Sequence, residues 1–90
     1  MLKDWIIGVS GSDMDDVVVY KFTGTDDDAG RKLLEMVNHD RGCDPDNWDF
    51  GTENAKDVSV YPNGKLYAYG CYSNCHIDYT ATPIENILAI

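Results

Sequence analysis

The segment Val58–Pro83 constrains the fold most, because apolar and polar residues alternate along it and two turn signals interrupt it. Its sequence, VSVYPNGKLYAYGCYSNCHIDYTATP, predicts three strands. The dipeptide Asn63-Gly64 is the strongest short hairpin signal in the chain, since both residues tolerate the positive φ that a two-residue turn needs. The chain therefore contains an antiparallel sheet built from consecutive strands.

Two loop lengths are compatible with the second turn, CYSNCH at residues 71–76. A two-residue loop pairs Tyr72 with Cys75, whereas a three-residue loop places Cys71 opposite Cys75. The two registers bury different side chains, because a slip of one residue exchanges the faces of a strand. We predict the two-residue loop, since it gives the cleaner partition, with one wholly apolar face. That face holds Leu66, Ala68, Gly70, Ile77, Tyr79 and Ala81, and the opposite face holds Tyr67, Tyr69, Cys71, His76, Asp78 and Thr80.

The segment TDDDAGRKLLEMVNHDRG, residues 25–42, predicts the main helix. Thr25 is a natural N-cap, and Asp28 at the third helical position completes a variant of the capping box. The aspartates of the first turn interact favourably with the helix dipole. The capping role therefore accounts for this acidic run without a binding function. The predicted apolar stripe consists of Ala29, Leu33, Leu34 and Val37.

The remaining segments complete a predicted ββαβββα order. Residues 4–11 and 16–24 predict a first hairpin, and residues 43–57 predict a long irregular connection. Residues 82–90, TPIENILAI, predict a short helix with Thr82 as N-cap and with Ile84, Ile87 and Leu88 toward the core. We expect a single α+β domain over residues 1–90, with an antiparallel sheet of about five strands, one main helix and a short C-terminal helix.

The net charge of −9, from sixteen acidic and seven basic residues, narrows the range of partners. Such a surface repels nucleic acid and anionic membranes, so we expect neither as a direct partner. It attracts a protein with a basic surface, although net charge also serves solubility. The N-terminus lacks the apolar region of a signal peptide, and no apolar run matches a membrane span. We therefore expect a cytoplasmic protein.

The three cysteines indicate free thiols, because a secreted domain of this size carries an even disulfide framework. A structural zinc site needs four ligands, and the best set is His39, Cys43, Cys71 and Cys75, with His76 as a substitute. The spacing is not C-x2-C, and the predicted register separates the two hairpin cysteines. We predict no metal and no cofactor, and keep a zinc-stabilised or redox module as the third alternative.

No stretch of the chain matches a catalytic signature, so we predict no enzyme and no catalytic residue. The segment DPDNWDFG, residues 44–51, fails as a calcium loop, because Trp48 and Asp49 occupy the positions that need an oxygen ligand and a glycine. The carboxylates of SDMDD, residues 12–16, lack a positioned partner for acid–base chemistry.

The predicted partner-binding residues are loop aspartates, which would steer a basic partner, and aromatic residues, which would anchor it. They are Asp13, Asp15, Asp16, Asp44, Asp46, Trp48, Asp49, Tyr67 and Tyr69. In length, charge and single-domain build, the whole chain resembles small acidic proteins of phages and mobile elements, such as anti-CRISPR proteins and DNA mimics; no motif carries the likeness. That resemblance implies an inhibitor that occupies the nucleic-acid-binding surface of a protein. The alternative is an accessory protein of a bacterial operon or mobile element, as a monomer or homodimer, whose acidity serves only solubility.

Overall fold

An antiparallel sheet with one helix on one face organises residues 1–87, which are the residues that the computed structural model describes. The strands are β1 (Lys3–Gly11), β2 (Val18–Gly24), β3 (Trp48–Gly51), β4 (Ser59–Val60), β5 (Leu66–Tyr72) and β6 (Cys75–Pro83), and the helix α1 is Asp26–Cys43. Strands lie in the order β2-β1-β6-β5-β3, and β4 also pairs with β5. The predicted α+β class is confirmed.

The core lies between α1 and the central strands β1, β6 and β5. Alternation in β1 buries Trp5, Ile7 and Val9 on the face that α1 covers. The helix contributes a buried stripe of Ala29, Leu33 and Val37, while the predicted fourth member, Leu34, is only half buried. The opposite face of the sheet carries no helix in the described part of the chain, and we call it the open face.

The first turn of α1 has the hydrogen bonds that its sequence predicts. The Asp28 N–H donates to Thr25 Oγ1 at 3.1 Å, and the Thr25 N–H donates to Asp28 Oδ2 at 2.9 Å. This reciprocal capping box satisfies two backbone donors that the helix itself leaves unpaired. The other two first-turn aspartates also interact favourably with the helix dipole, and Asp26 in addition lies 3.1 Å from Lys3 Nζ.

The β5–β6 hairpin adopts the predicted two-residue register. Tyr72 pairs with Cys75, and Cys71 pairs with His76. Ser73 and Asn74 both have positive φ, 45° and 66°, as a type I′ turn requires. The apolar face that this register predicts is buried against α1. The Asn63-Gly64 dipeptide also lies in a hairpin turn, which connects β4 to β5. The loop has three residues instead of two, because the Tyr61 N–H donates to the Lys65 carbonyl, and only Gly64 of the pair has a positive φ, 86°.

The prediction of one long irregular connection at residues 43–57 is wrong, because it missed β3 (Trp48–Gly51) and a 3-10 turn at Ala55–Asp57. The described sheet therefore has six strands instead of about five. β3 has only four residues and includes a register shift, so apolar and polar residues do not alternate over a stretch long enough to indicate a strand. β3 lies beside β5 at this point because Gly70 has no side chain, and the Trp48 ring fills the space above it.

The predicted C-terminal helix is also wrong. Thr82 and Pro83 continue β6 and pair with β1, and only a 3-10 turn at Ile84–Asn86 follows. Sheet pairing overrides the capping signal, because pairing with β1 holds Pro83, the predicted first helical residue, in an extended conformation. Ile84 and Ile87 are exposed instead of facing the core, and Leu88 lies outside the described residues. Among residues 1–87, no helix combines the length and apolarity that crossing a bilayer requires.

Candidate functional site: an acidic end built on one hairpin tip

The tip of the β5–β6 hairpin, residues 72–76, holds the loop between β1 and β2. The Ser12 N–H donates to the His76 carbonyl at 3.0 Å, and the His76 N–H donates to Ser12 Oγ at 2.8 Å. The Tyr72 hydroxyl reaches both carboxylate oxygens of Asp13, at 2.6 and 2.7 Å. These contacts fix the start of the β1–β2 loop, which also carries Asp15 and Asp16.

The same tip holds the loop between α1 and β3. The Ser73 N–H donates to the Asn47 carbonyl at 3.0 Å. The Asn47 side-chain amide donates to both oxygens of Asp44, at 2.9 and 3.0 Å. The Trp48 ring stacks on Tyr72 with 6.4 Å between centroids and 5° between planes. The β1–β2 loop and the α1–β3 loop, which are separate acidic segments in the sequence, therefore flank one hairpin tip.

This convergence produces a strongly negative region, which we call the acidic end. It comprises the loop aspartates and Asp40, which lies in the last turn of α1 and accepts the Tyr79 hydroxyl at 2.5 Å. The C-terminus of α1 adds the negative end of a helix dipole. Within these segments Arg41 is the one cation, and its guanidinium donates to Asn38. The carboxylates of the acidic end are Asp13, Asp15, Asp16, Asp40, Asp44 and Asp46.

Three aromatic rings form a second feature, which we call the aromatic strip, on the open face. Tyr67 and Tyr69 stack with 6.3 Å between centroids, and Phe50 meets Tyr69 edge-on at 6.2 Å. The Tyr67 hydroxyl donates to Asp78 at 2.5 Å. Phe50 is 58% exposed and was missed from sequence, although its two-residue spacing from Trp48 was a signal for a strand. The strip offers rigid apolar area beside carboxylates.

The other predicted residues take two different positions. Trp48 is half buried and packs against the core cluster on the helix side, away from the aromatic strip. Asp49, the next residue in β3, is exposed beside the register shift. Trp48 therefore positions the α1–β3 loop, whereas Asp49 adds charge next to the acidic end.

The candidate metal ligands lie in two places. His39 and Cys43 are neighbours on α1, with 3.9 Å between Nδ1 and Sγ. Cys71 and Cys75 occupy opposite faces of the hairpin, because Cys71 pairs with His76 and Cys75 pairs with Tyr72. Among the described residues, no group of three or more potential ligands is close enough to share an ion. The candidate set of His39, Cys43, Cys71 and Cys75 is not brought together.

Comparisons of this chain with protein-family models, with curated proteins and with solved structures found no match. Two properties of the acidic end indicate what it can bind. Its charges are concentrated at one end, and hydrogen bonds hold the two loops that carry them.

Hydrogen bonds from tyrosine to aspartate also perturb the hydroxyls. The hydrogen bond to Asp13, with a smaller effect of burial, raises the pKa of Tyr72 to about 12. Burial, followed by the hydrogen bond to Asp78, raises the pKa of Tyr67. Burial and the hydrogen bond to Asp40 likewise raise the pKa of Tyr79. In each case the neutral hydroxyl is the form that the folded protein favours.

Alkaline titration should show this effect. A pKa that is higher in the folded state gives stability that is complete below the ordinary tyrosine pKa of about 10 and is lost as pH rises through the folded value. We expect phenolate absorbance at 295 nm to lag behind the same titration in concentrated urea, and to rise together with unfolding. Tyr72→Phe should shorten the lag, because it removes one protected hydroxyl. Superimposable curves in water and urea would contradict the expectation.

Proposed function

We propose that the protein binds a partner protein through a basic surface of that partner, and that it inhibits the partner by occupying the surface where nucleic acid binds. One observation carries the proposal: the two aspartate loops converge on the hairpin tip and are held there by hydrogen bonds. A fixed cluster of carboxylates matches a fixed basic groove better than mobile charges do, because less side-chain and loop order is lost on binding.

The acidic end would speed association with the partner, and the aromatic strip would supply anchoring contacts. Long-range attraction to the acidic end speeds encounter and orients the partner. The strip begins beside Cys71 on the same strand, so a partner that covers the tip also reaches Tyr69. Exposed aromatic rings with carboxylates around them are typical of interface anchors and their polar rim.

A charge-reversal pair tests this proposal. Asp16 and Asp46 come from different loops, and neither accepts a side-chain hydrogen bond within residues 1–87, so Asp16→Lys with Asp46→Lys should preserve the fold. The matched control is Glu53→Lys with Glu85→Lys, which changes net charge equally at exposed positions outside the acidic end. It also removes the contact of Glu85 with Lys3 Nζ at 3.9 Å, an exposed ion pair that contributes little to stability. Partners captured on the wild-type protein after nuclease treatment provide the binding assay.

We expect the loop variant to associate with the captured partner roughly 10- to 100-fold more slowly at low salt. The control should stay within a few-fold of wild type, and added salt should reduce the difference between the two variants. Equal slowing in both variants would show that only net charge matters. No slowing in either would favour the alternative, in which the acidity serves solubility.

A further inference from the structure

Strand β2 is an outer strand with an unusually accessible edge. Within the described residues it pairs with β1 alone, so alternate residues direct their N–H and C=O groups away from the sheet. Its side chains are apolar on both faces: Val18 is 41% exposed, Val19 59% and Tyr20 50%. It has no proline, and its pairing with β1 shows no register shift. Lys21 is the one charge along it.

The opposite edge of the sheet is protected in ways that β2 is not. It consists of β3 and β4, which have four and two residues. β3 contains a register shift, and Asp49 lies in its middle. Short, irregular and charged outer strands are the usual defence against edge-to-edge pairing, and β2 has only the last of these, through Lys21. The contrast between the two edges indicates that the β2 edge is available for pairing.

The surface beside β2 carries charges of both signs. A groove of about 770 Å³ separates β2 from α1, and Val18, Tyr20 and Met36 contribute to its walls. Lys21, Lys32, Glu35 and Asp40 also line this groove, so its two cations balance its two carboxylates. The groove beside β2 is thus less acidic than the acidic end, although it shares Asp40 with that end and although aspartates precede and follow β2. A second copy of a chain with net charge −9 would be repelled least on this side.

We propose that β2 pairs with β2 of a second copy, antiparallel about a two-fold axis, to form one continuous sheet. A strand edge is self-complementary in this arrangement, since identical backbone groups and identical valines meet across the axis. The antiparallel orientation also keeps the acidic ends of the two copies apart, because the loop before β2 carries Asp15 and Asp16. A parallel orientation would bring those loops together.

Molar mass in solution tests the proposal, with one variant and one matched control. Val19→Lys adds a charge to the β2 edge at an exposed position, so far-UV circular dichroism should stay unchanged. Val60→Lys makes the same change at an exposed valine of β4, on the other side of the sheet. We expect wild type and Val60→Lys to have twice the chain mass of 10.1 kDa at micromolar concentration. Val19→Lys should be monomeric, with dimerisation weakened at least tenfold.

Salt distinguishes this inference from the proposed function. Screening should strengthen the dimer, because two copies of net charge −9 repel each other, whereas it should weaken binding to a basic partner. The variant with Asp16→Lys and Asp46→Lys should remain a dimer. A monomeric wild type at all accessible concentrations would overturn the proposal, as would a mass that Val19→Lys leaves unchanged.

Discussion

Replacing Trp5 by alanine should remove a large part of the free energy of unfolding. Trp5 is the largest fully buried side chain, and it lies in β1 between β2 and β6. Its indole N–H donates to the Gly24 carbonyl at 3.0 Å, which holds the end of β2 next to the start of α1. Truncation of a buried tryptophan costs about 3–5 kcal/mol. A chain of this size has on the order of 5–10 kcal/mol in total.

Urea denaturation followed by circular dichroism measures this effect. We expect the midpoint for Trp5→Ala to fall by about 2 M or more, given a slope of roughly 1–2 kcal/mol per molar urea. Trp5→Phe is the matched control: it keeps most of the buried ring but removes the N–H donor to Gly24. It should lose less stability than the alanine variant. A loss of less than about 1 kcal/mol for Trp5→Ala would contradict the central position of this residue.

Gly70→Ala should have the second largest effect on stability, and it should also disturb the acidic end by displacing Trp48. A Cβ at Gly70 would lie 2.6 Å from Trp48 Cζ2, so the indole has to leave its place above β5. Trp48 stacks on Tyr72, and the Tyr72 hydroxyl holds Asp13. We expect a loss of about 1–3 kcal/mol from overpacking. The two acidic loops should also lose their fixed positions relative to each other.

Tryptophan fluorescence and stability together check this second prediction. Emission should move to longer wavelength in folded Gly70→Ala, because Trp48 becomes exposed while Trp5 stays buried. Gly42→Ala is the control, since an added Cβ there meets no atom within 4 Å. Helix propensity predicts that this control is neutral or gains up to about 1 kcal/mol. Unchanged emission with unchanged stability in Gly70→Ala would show that Trp48 tolerates the methyl group.

Local interactions made part of this fold predictable from sequence. The capping box of Thr25 and Asp28 involves residues three apart, so its signal is complete within one turn. The hairpin register was predictable because the two-residue loop separates apolar from polar side chains more cleanly than the three-residue loop does. The C-terminal helix was mispredicted because its local capping signal competes with pairing between β6 and β1. No local pattern reveals that competition.

In the acidic end, too, local features were predictable from sequence and long-range contacts were not. The loop aspartates were recognisable individually, as charges between regular elements. Their convergence was not, because it depends on β1 lying beside β6 and on β3 lying beside β5. Phe50 was missed for the same reason: its partner Tyr69 lies on a strand that sequence did not connect to it. Sequence therefore predicted which residues carry the charge, and the sheet order determines where that charge is concentrated.

The pairing of β1 with β6 has a consequence for how the protein is made. Trp5 lies opposite Pro83, so the central strand pair joins residues from nearly opposite ends of the described chain. A nascent chain on the ribosome cannot close this sheet until β6 has emerged, and β1 must wait with its apolar face uncovered. Such long-range closure is slow. Until it occurs, β1 and β2 form a hairpin with an open edge on each side, which is the stage most exposed to aggregation and to chaperone binding.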